Sequence, residues 1–230
     1  MNTNKENAIQ DIVDRFGKYA DLILHQLSLL EKVFSTGMAS IPKELIDEIK
    51  KYEEESDTYE IKLSEKIINT IVLQKPVASD LRKLIACYQI VMNLERVADL
   101  VTNIVNFIPK IKDQETYNKM TDAIFNMLII AKNMVQKSIL SFINNDKEFA
   151  IWTLKNDSIV DEMNHKLVKK AVAKSKLPEE TQQLLLSYIN INSIISNIER
   201  IADHAINVAE ASIYAMEGTD IRHQHIENKH

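Results

Sequence analysis

An all-α protein built as two tandem three-helix bundles is the fold this sequence predicts, and three observations predict it. Only 3 Gly and 4 Pro fall in 230 residues, while Leu, Ile, Glu, Lys, Asn and Ala dominate. A chain so poor in helix breakers favours nearly continuous helix. Apolar residues recur at spacings of three and four, the period of an amphipathic helix. One stretch also repeats: Asn93-Leu94-Glu95-Arg96-Val97-Ala98-Asp99 returns as Asn197-Ile198-Glu199-Arg200-Ile201-Ala202-Asp203, an offset of 104 residues.

The elements follow in order. Ile12, Phe16, Tyr19, Ile23, Leu27, Leu30 and Phe34 mark a first helix over about 8–34, and Ser35-Thr36-Gly37 ends it. Pro42 opens a second, which carries Leu45, Ile49, Tyr52, Tyr59, Leu63, Ile67 and Ile71 towards Gln74. Pro76 marks a short turn. A third helix then carries Leu81, Leu84, Ile85, Tyr88, Val91 and Met92 into the repeated stretch, until Pro109 stops it. A fourth spans about 115–143 and breaks at Asn144-Asn145-Asp146; a fifth spans about 147–175. Pro178-Glu179-Glu180 starts the sixth, and Gly218 ends it. The same offset, without gaps, pairs Asp57 with Asp161, Leu63 with Leu167, Leu81 with Leu185 and Ile85 with Ile189. The expected division is therefore 1–110, 111–218 and a polar tail, 219–230, whose His223-Gln224-His225 reads as a solvated terminus.

Composition narrows the function classes. A net charge of −5 argues against general nucleic-acid binding, which needs a basic surface. Cys87 is the single cysteine, so no internal disulfide forms, in keeping with a reducing compartment and a buried, inert thiol. The first residues lack the apolar core of a signal peptide, and no apolar run reaches the length of a membrane span. A cytoplasmic protein that meets membranes only through its partners is expected. No Gly-rich phosphate loop, G-x-S-x-G motif or reactive Cys setting supports a nucleophilic enzyme.

The acidic residues carry the chemistry. Glu95 and Asp99, then Glu199 and Asp203, stand four apart, and Asn103 and Asn207 follow at the same interval. Each copy thus presents a carboxylate ladder ending in an amide along one side of a helix. The preceding helix in each half adds another such pair, Glu53 and Asp57, then Asp157 and Asp161. In an antiparallel hairpin, level residues have numbers averaging to the turn. Asp57 with Glu95 and Glu53 with Asp99 average to 76; Asp161 with Glu199 and Asp157 with Asp203 average to 180. Four carboxylates therefore meet at one level in each half. Near a packed face such a group repels and desolvates itself at a cost of several kcal/mol unless neutralised. Bound cations neutralise it, and carboxylate oxygens suit hard cations such as Mg, Mn, Fe or Ca. The plainer alternative is a pair of solvated acidic faces, with Arg96, Arg200 and nearby Lys forming surface ion pairs. His165 follows Asp161 by four and His204 follows Asp203, but Ile61 and Leu100 hold the matching places in the first half. Neither histidine belongs to a shared site, and His25 reads as an ordinary helix histidine.

These motifs resemble the PhoU family of phosphate-signalling regulators over essentially the whole length. Beside the duplicated acidic motif, Pro76-Val77-Ala78-Ser79-Asp80-Leu81-Arg82 is similar to the family's P-V-A-x-D-L-R turn, and Asn207-Val208-Ala209-Glu210 to its N-I-A-E ending. Ala98 and Ala202 stand where the family commonly has Gly, and the second half lacks the P-V-A-x-D-L-R turn. The resemblance implies two three-helix bundles with one multinuclear metal cluster each, often iron, alternatively Mn or Mg. Its ligands would be Glu53, Asp57, Glu95 and Asp99, then Asp157, Asp161, Glu199 and Asp203, with Asn103 and Asn207 in support. It further implies a cytoplasmic, non-enzymatic regulator, often a homodimer, linking the phosphate ABC transporter ATPase to a sensor histidine kinase and holding the response off when phosphate is ample. Two other classes compete. A ferritin-like di-metal enzyme needs two E-x-x-H motifs in one bundle; the expected helices carry only Glu162-Met163-Asn164-His165, the other such spacing, Glu227-Asn228-Lys229-His230, falling in the polar tail. A metal-free helical adaptor would use its acidic faces on basic partners, with salt-sensitive binding.

Overall fold

The computed structural model describes residues 2–35, 37, 40–172 and 181–222. These residues form six long helices and one short 3₁₀ turn: α1 (Asn2–Ser35), α2 (Lys43–Gln74), α3 (Ser79–Phe107), the 3₁₀ turn Ile108–Lys110, α4 (Gln114–Asn144), α5 (Lys147–Val172) and α6 (Thr181–Glu217). Among the described residues there is no strand, and no helix is long and apolar enough to cross a membrane. The expected sixth-helix start at Pro178-Glu179-Glu180, the fifth helix beyond Val172 and the His223-Gln224-His225 stretch lie outside the described residues.

Local chemistry explains the helix ends. Lys75 closes α2 in the left-handed conformation at φ 46°, its N–H donating to the Ile71 carbonyl, and Asn145 closes α4 in the same way at φ 51°. Either conformation bends the chain out of the helix and satisfies one orphan carbonyl. Gly37 and Gly218 take positive φ just past α1 and α6, where the missing Cβ makes the bend inexpensive. Asp113 caps α4, its carboxylate accepting from the Thr116 N–H and hydroxyl. Asp146 accepts the Glu148 N–H at 2.9 Å and so caps α5. One boundary differs from expectation: α1 starts at Asn2, six residues before the expected start near residue 8. The added turn is polar, and Lys5 ties it down through a 2.6 Å ion pair with Asp80 at the start of α3.

The first three helices form one bundle and the last three another. α3 lies against α6 more extensively than any other pair of helices meets, and α1 touches α4. The central elements of the two halves thus share a seam. One continuous apolar core runs through both, from Phe16, Tyr19 and Leu27 of α1, through Leu94, Val97 and Val101 of α3, to Ile194, Ile198 and Ile201 of α6. Gln26 is fully buried and donates to the carbonyls of Ile49 and Ala98, stitching α1 to both neighbours in its bundle. Cys87 is buried, and burial pushes its thiol up to about 12, as expected of an inert thiol.

The α2–α3 turn carries a strained residue. Ala78 holds φ 49° and ψ −119° immediately before α3, a backbone region that glycine enters far more cheaply. Ala78→Gly is expected to raise stability by about 1 kcal/mol in urea unfolding, because relief of strain outweighs the added freedom of the unfolded chain. A lower midpoint would show that the turn is not strained.

Candidate metal centre

Each half brings its acidic residues together through the hairpin, and the two halves do so differently. In the first, α2 supplies Glu53 and Asp57, and α3 supplies Glu95 and Asp99. Glu53, Asp57 and Asp99 each offer a carboxylate oxygen within 4.8 Å of the other two, a spacing that one cation can span. Leu94, Val97 and Ala98 rotate α3 into place: all three are buried, and they leave Glu95 and Asp99 at the edge of the core. Ser56, one residue before Asp57, is fully buried and pairs with the Tyr19 hydroxyl at 3.2 Å. This contact fixes the rotation of α2 against α1.

The electrostatics follow from crowding. Burial pushes Glu95 up to about 7, and Asp99, Asp57 and Glu60 add to the push while Arg96 opposes it. Glu53 is raised by burial, then by Asp57 and Asp99; Asp57 is raised by burial, then by Asp99. Tyr19 is raised by burial, with Glu95, Glu60 and Asp57 adding to it. Arg96 lies 3.3 Å from Glu95 Oε2 and 3.5 Å from Asp99 Oδ2, so the surface ion pairing weighed in the sequence is present. It does not complete the site. Glu95 Oε2 is a buried oxygen with no hydrogen-bond partner, which costs a charged group more than a neutral one.

In the second half α5 supplies Asp157 and Asp161, and α6 supplies Glu199 and Asp203. Burial raises Asp157, with Asp161 and Glu199 adding to it. Asp203 keeps part of its side chain in solvent, yet neighbouring protein crowds its carboxyl. It is pushed up to about 6 by burial, then by Asp157, Glu199 and Asp161, against Arg200. Asp157 and Asp203 thus both feel the charges of Asp161 and Glu199. Among the described residues, only the first half brings three ligand oxygens within 4.8 Å. The amides lie at the margins: Asn103 is exposed, and Asn207 donates to Asn93 Oδ1 across the α3–α6 seam at 3.1 Å. His204 meets the same Asn93 oxygen at 2.9 Å, and burial, with Arg200 and Arg96, pulls it down to about 4. His165 is exposed, its Nδ1 3.1 Å from the Asp161 carbonyl of its own helix. His25 packs against Tyr52 in a tilted arrangement, with ring centroids 4.7 Å apart and planes 51° from parallel.

The donor set fits a hard cation. It consists of carboxylate oxygens, three of them convergent, beside a buried Glu95 oxygen that makes no hydrogen bond and meets only the Arg96 guanidinium. Sequence reasoning missed Tyr19, Ser56 and Glu60 as neighbours of this group. Tyr19 and Ser56 look like ordinary core and helix positions. Glu60 could have been found from its spacing of three after Asp57, but the repeat pairs it with Asn164 and so hides it.

Comparison with known proteins agrees with this architecture. The PhoU domain family matches the chain twice, over residues 16–108 and 124–212. A "Phosphate-specific transport system accessory protein PhoU homolog" of Aquifex aeolicus is 34% identical over 210 residues, covering 90% of this chain and 93% of that protein. A protein of the same name from a Burkholderia species is 31% identical over 173 residues, 74% of this chain and 72% of the relative. In fold, the chain is similar to the crystal structure of the phosphate transport system regulatory protein PhoU from Streptococcus pneumoniae, with a TM-score of 0.80 at 18% identity over 94% of this chain and 98% of that one. PhoU from Pseudomonas aeruginosa gives a TM-score of 0.76 at 19% identity over 93% and 99%. Matched in both halves and related along most of its length to proteins of that name, the chain belongs to the PhoU family.

Proposed function

We propose that this protein is a non-enzymatic, metal-binding regulator of phosphate uptake and of phosphate-responsive two-component signalling. The observation that carries the metal part of this reading is the convergence of Glu53, Asp57 and Asp99. The regulatory part is supported by family membership and by relatives named as accessory proteins of phosphate-specific transport. In this reading Glu53, Asp57, Glu95 and Asp99 hold one group of ions, and Asp157, Asp161, Glu199 and Asp203 another, with iron, manganese or magnesium as the ion. The bound cations supply positive charge that cancels the repulsion across each hairpin. The protein's own residues do the rest: α2 and α3 are drawn together at the acidic level, as are α5 and α6, and the α3–α6 seam carries that rigidity between halves. The resulting surface meets the transporter ATPase and the sensor kinase in the cytoplasm, the protein acting as a homodimer. The ferritin-like alternative draws no support from Glu162 and His165, because both are exposed and Glu162 pairs with Lys166 at 2.6 Å.

Three measurements test this. Elemental analysis of protein purified without chelator or nickel should find several Fe, Mn or Mg ions per chain, lost in the double variant Asp99→Ala with Asp203→Ala. Metal-free wild type whose stability ignores added Fe or Mn would leave the acidic-adaptor reading in front. Deletion of the gene should leave phosphate-responsive signalling on when phosphate is ample; unchanged signalling sinks the regulatory assignment.

The third is a pH dependence. The folded value of Glu95 lies above its ordinary 4.5, at about 7, so the folded state holds the proton more tightly than the unfolded one. The stabilisation this brings is complete below 4.5 and lost as pH rises through 7. Metal-free protein should therefore melt about 2–4 °C lower at pH 8 than at pH 6.5. Glu95→Gln should flatten that slope, and metal uptake should strengthen over the same interval as the ligand sheds its proton. An equal slope in wild type and variant would show that Glu95 is not the titrating group.

A further inference from the structure

Outside the three converging residues Glu53, Asp57 and Asp99, α2 carries one more carboxylate on the same face. Glu60 follows Asp57 by three positions on α2. At about 100° per residue, Glu53, Asp57 and Glu60 fall within about 60° of arc, on one face of the helix. Ser64, on the next turn of that face, is buried and donates its hydroxyl to Glu60 Oε1 at 3.1 Å. This bond holds one carboxylate oxygen and leaves the other as a lone-pair donor. Glu60 is partly buried, and its charge acts both on Glu95, whose Oε2 has no hydrogen-bond partner, and on Tyr19 beneath the site. In the second half the equivalent position is Asn164, which carries no charge.

We propose that Glu60 is a further carboxylate ligand of the first acidic centre, so that this centre offers hard cations five carboxylates where the second offers four. The inference rests on the metal reading above and adds an asymmetry to it. Charge count and ligand number set the affinity of oxygen-donor sites. The first centre therefore binds more tightly and fills first, although the repeated motif is the same in both halves.

Mn(II) titration of the full chain, with free ion followed by electron paramagnetic resonance, tests this in two backgrounds. With the second centre silenced by Asp203→Ala, Glu60→Gln should weaken Mn(II) binding about tenfold or more. With the first silenced by Asp99→Ala, Asn164→Glu should tighten the second centre by a similar factor. Metal-free Glu60→Gln should melt at or above the wild-type temperature, since one like charge has left the cluster. A lower melting temperature with unchanged Mn(II) affinity would mean that Glu60 serves only to anchor Ser64, and would overturn the proposal. Unchanged affinity in both backgrounds, with the wild type binding normally, overturns this inference and leaves the metal reading intact. A wild-type chain that takes up no Mn(II) overturns both.

Discussion

Repulsion between carboxylates held level across a helical hairpin is the constraint on which the rest of this structure depends. Two helices that placed such residues in open solvent would lose a few tenths of a kcal/mol per like pair and need nothing more. Here Leu94, Val97 and Ala98 on one side and Ser56 on the other are buried. The acidic residues cannot rotate away without pulling apolar surface into water. Burial is accordingly the largest cause of the raised values at Glu53, Asp57, Glu95, Asp157 and Asp203. The protein holds its charges where they are unfavourable, and a cation is the simplest partner that relieves them.

The seam between α3 and α6 makes that local strain a property of the whole molecule. The acidic ladders sit on these two helices, and the helices are each other's most extensive neighbours. Their polar contacts are unequal about the repeat. Asn93 of the first half accepts from Asn207 and faces His204 of the second, whereas Leu100 takes the place of His204 in the other copy. A change in the spacing of one hairpin therefore bears on the other through a packed core.

The two halves are copies in sequence without being equal in chemistry. Each keeps the Glu-x-x-x-Asp ladder, an Arg inside it and small Ala98 or Ala202 beside its second acid. Yet Arg96 contacts both acids of its ladder, three ligand oxygens converge in the first half, and Glu60 faces Asn164 across the repeat.

Much of the fold was legible because helical information is local. The periods of three and four, Pro42, Pro76 and Pro109, and the break at Asn145 place α2, α3, α4 and the start of α5 to within a few residues. Where the reading fell short, as at the polar start of α1, the deciding contact was the distant Lys5–Asp80 pair. The level pairing of the acids was legible too, because a hairpin with a short turn conserves register, and simple averages about residue 76 recover it. What the sequence determined by itself was therefore the all-α class and the duplication. Tertiary structure alone decided which of the acids converge, that Tyr19 lies beside them, and that α3 and α6 join the halves. The physical reason is that helix period is set by neighbours a few residues away. The rotation of one helix against another is set by how a whole core fills its space, and no short stretch of sequence contains that.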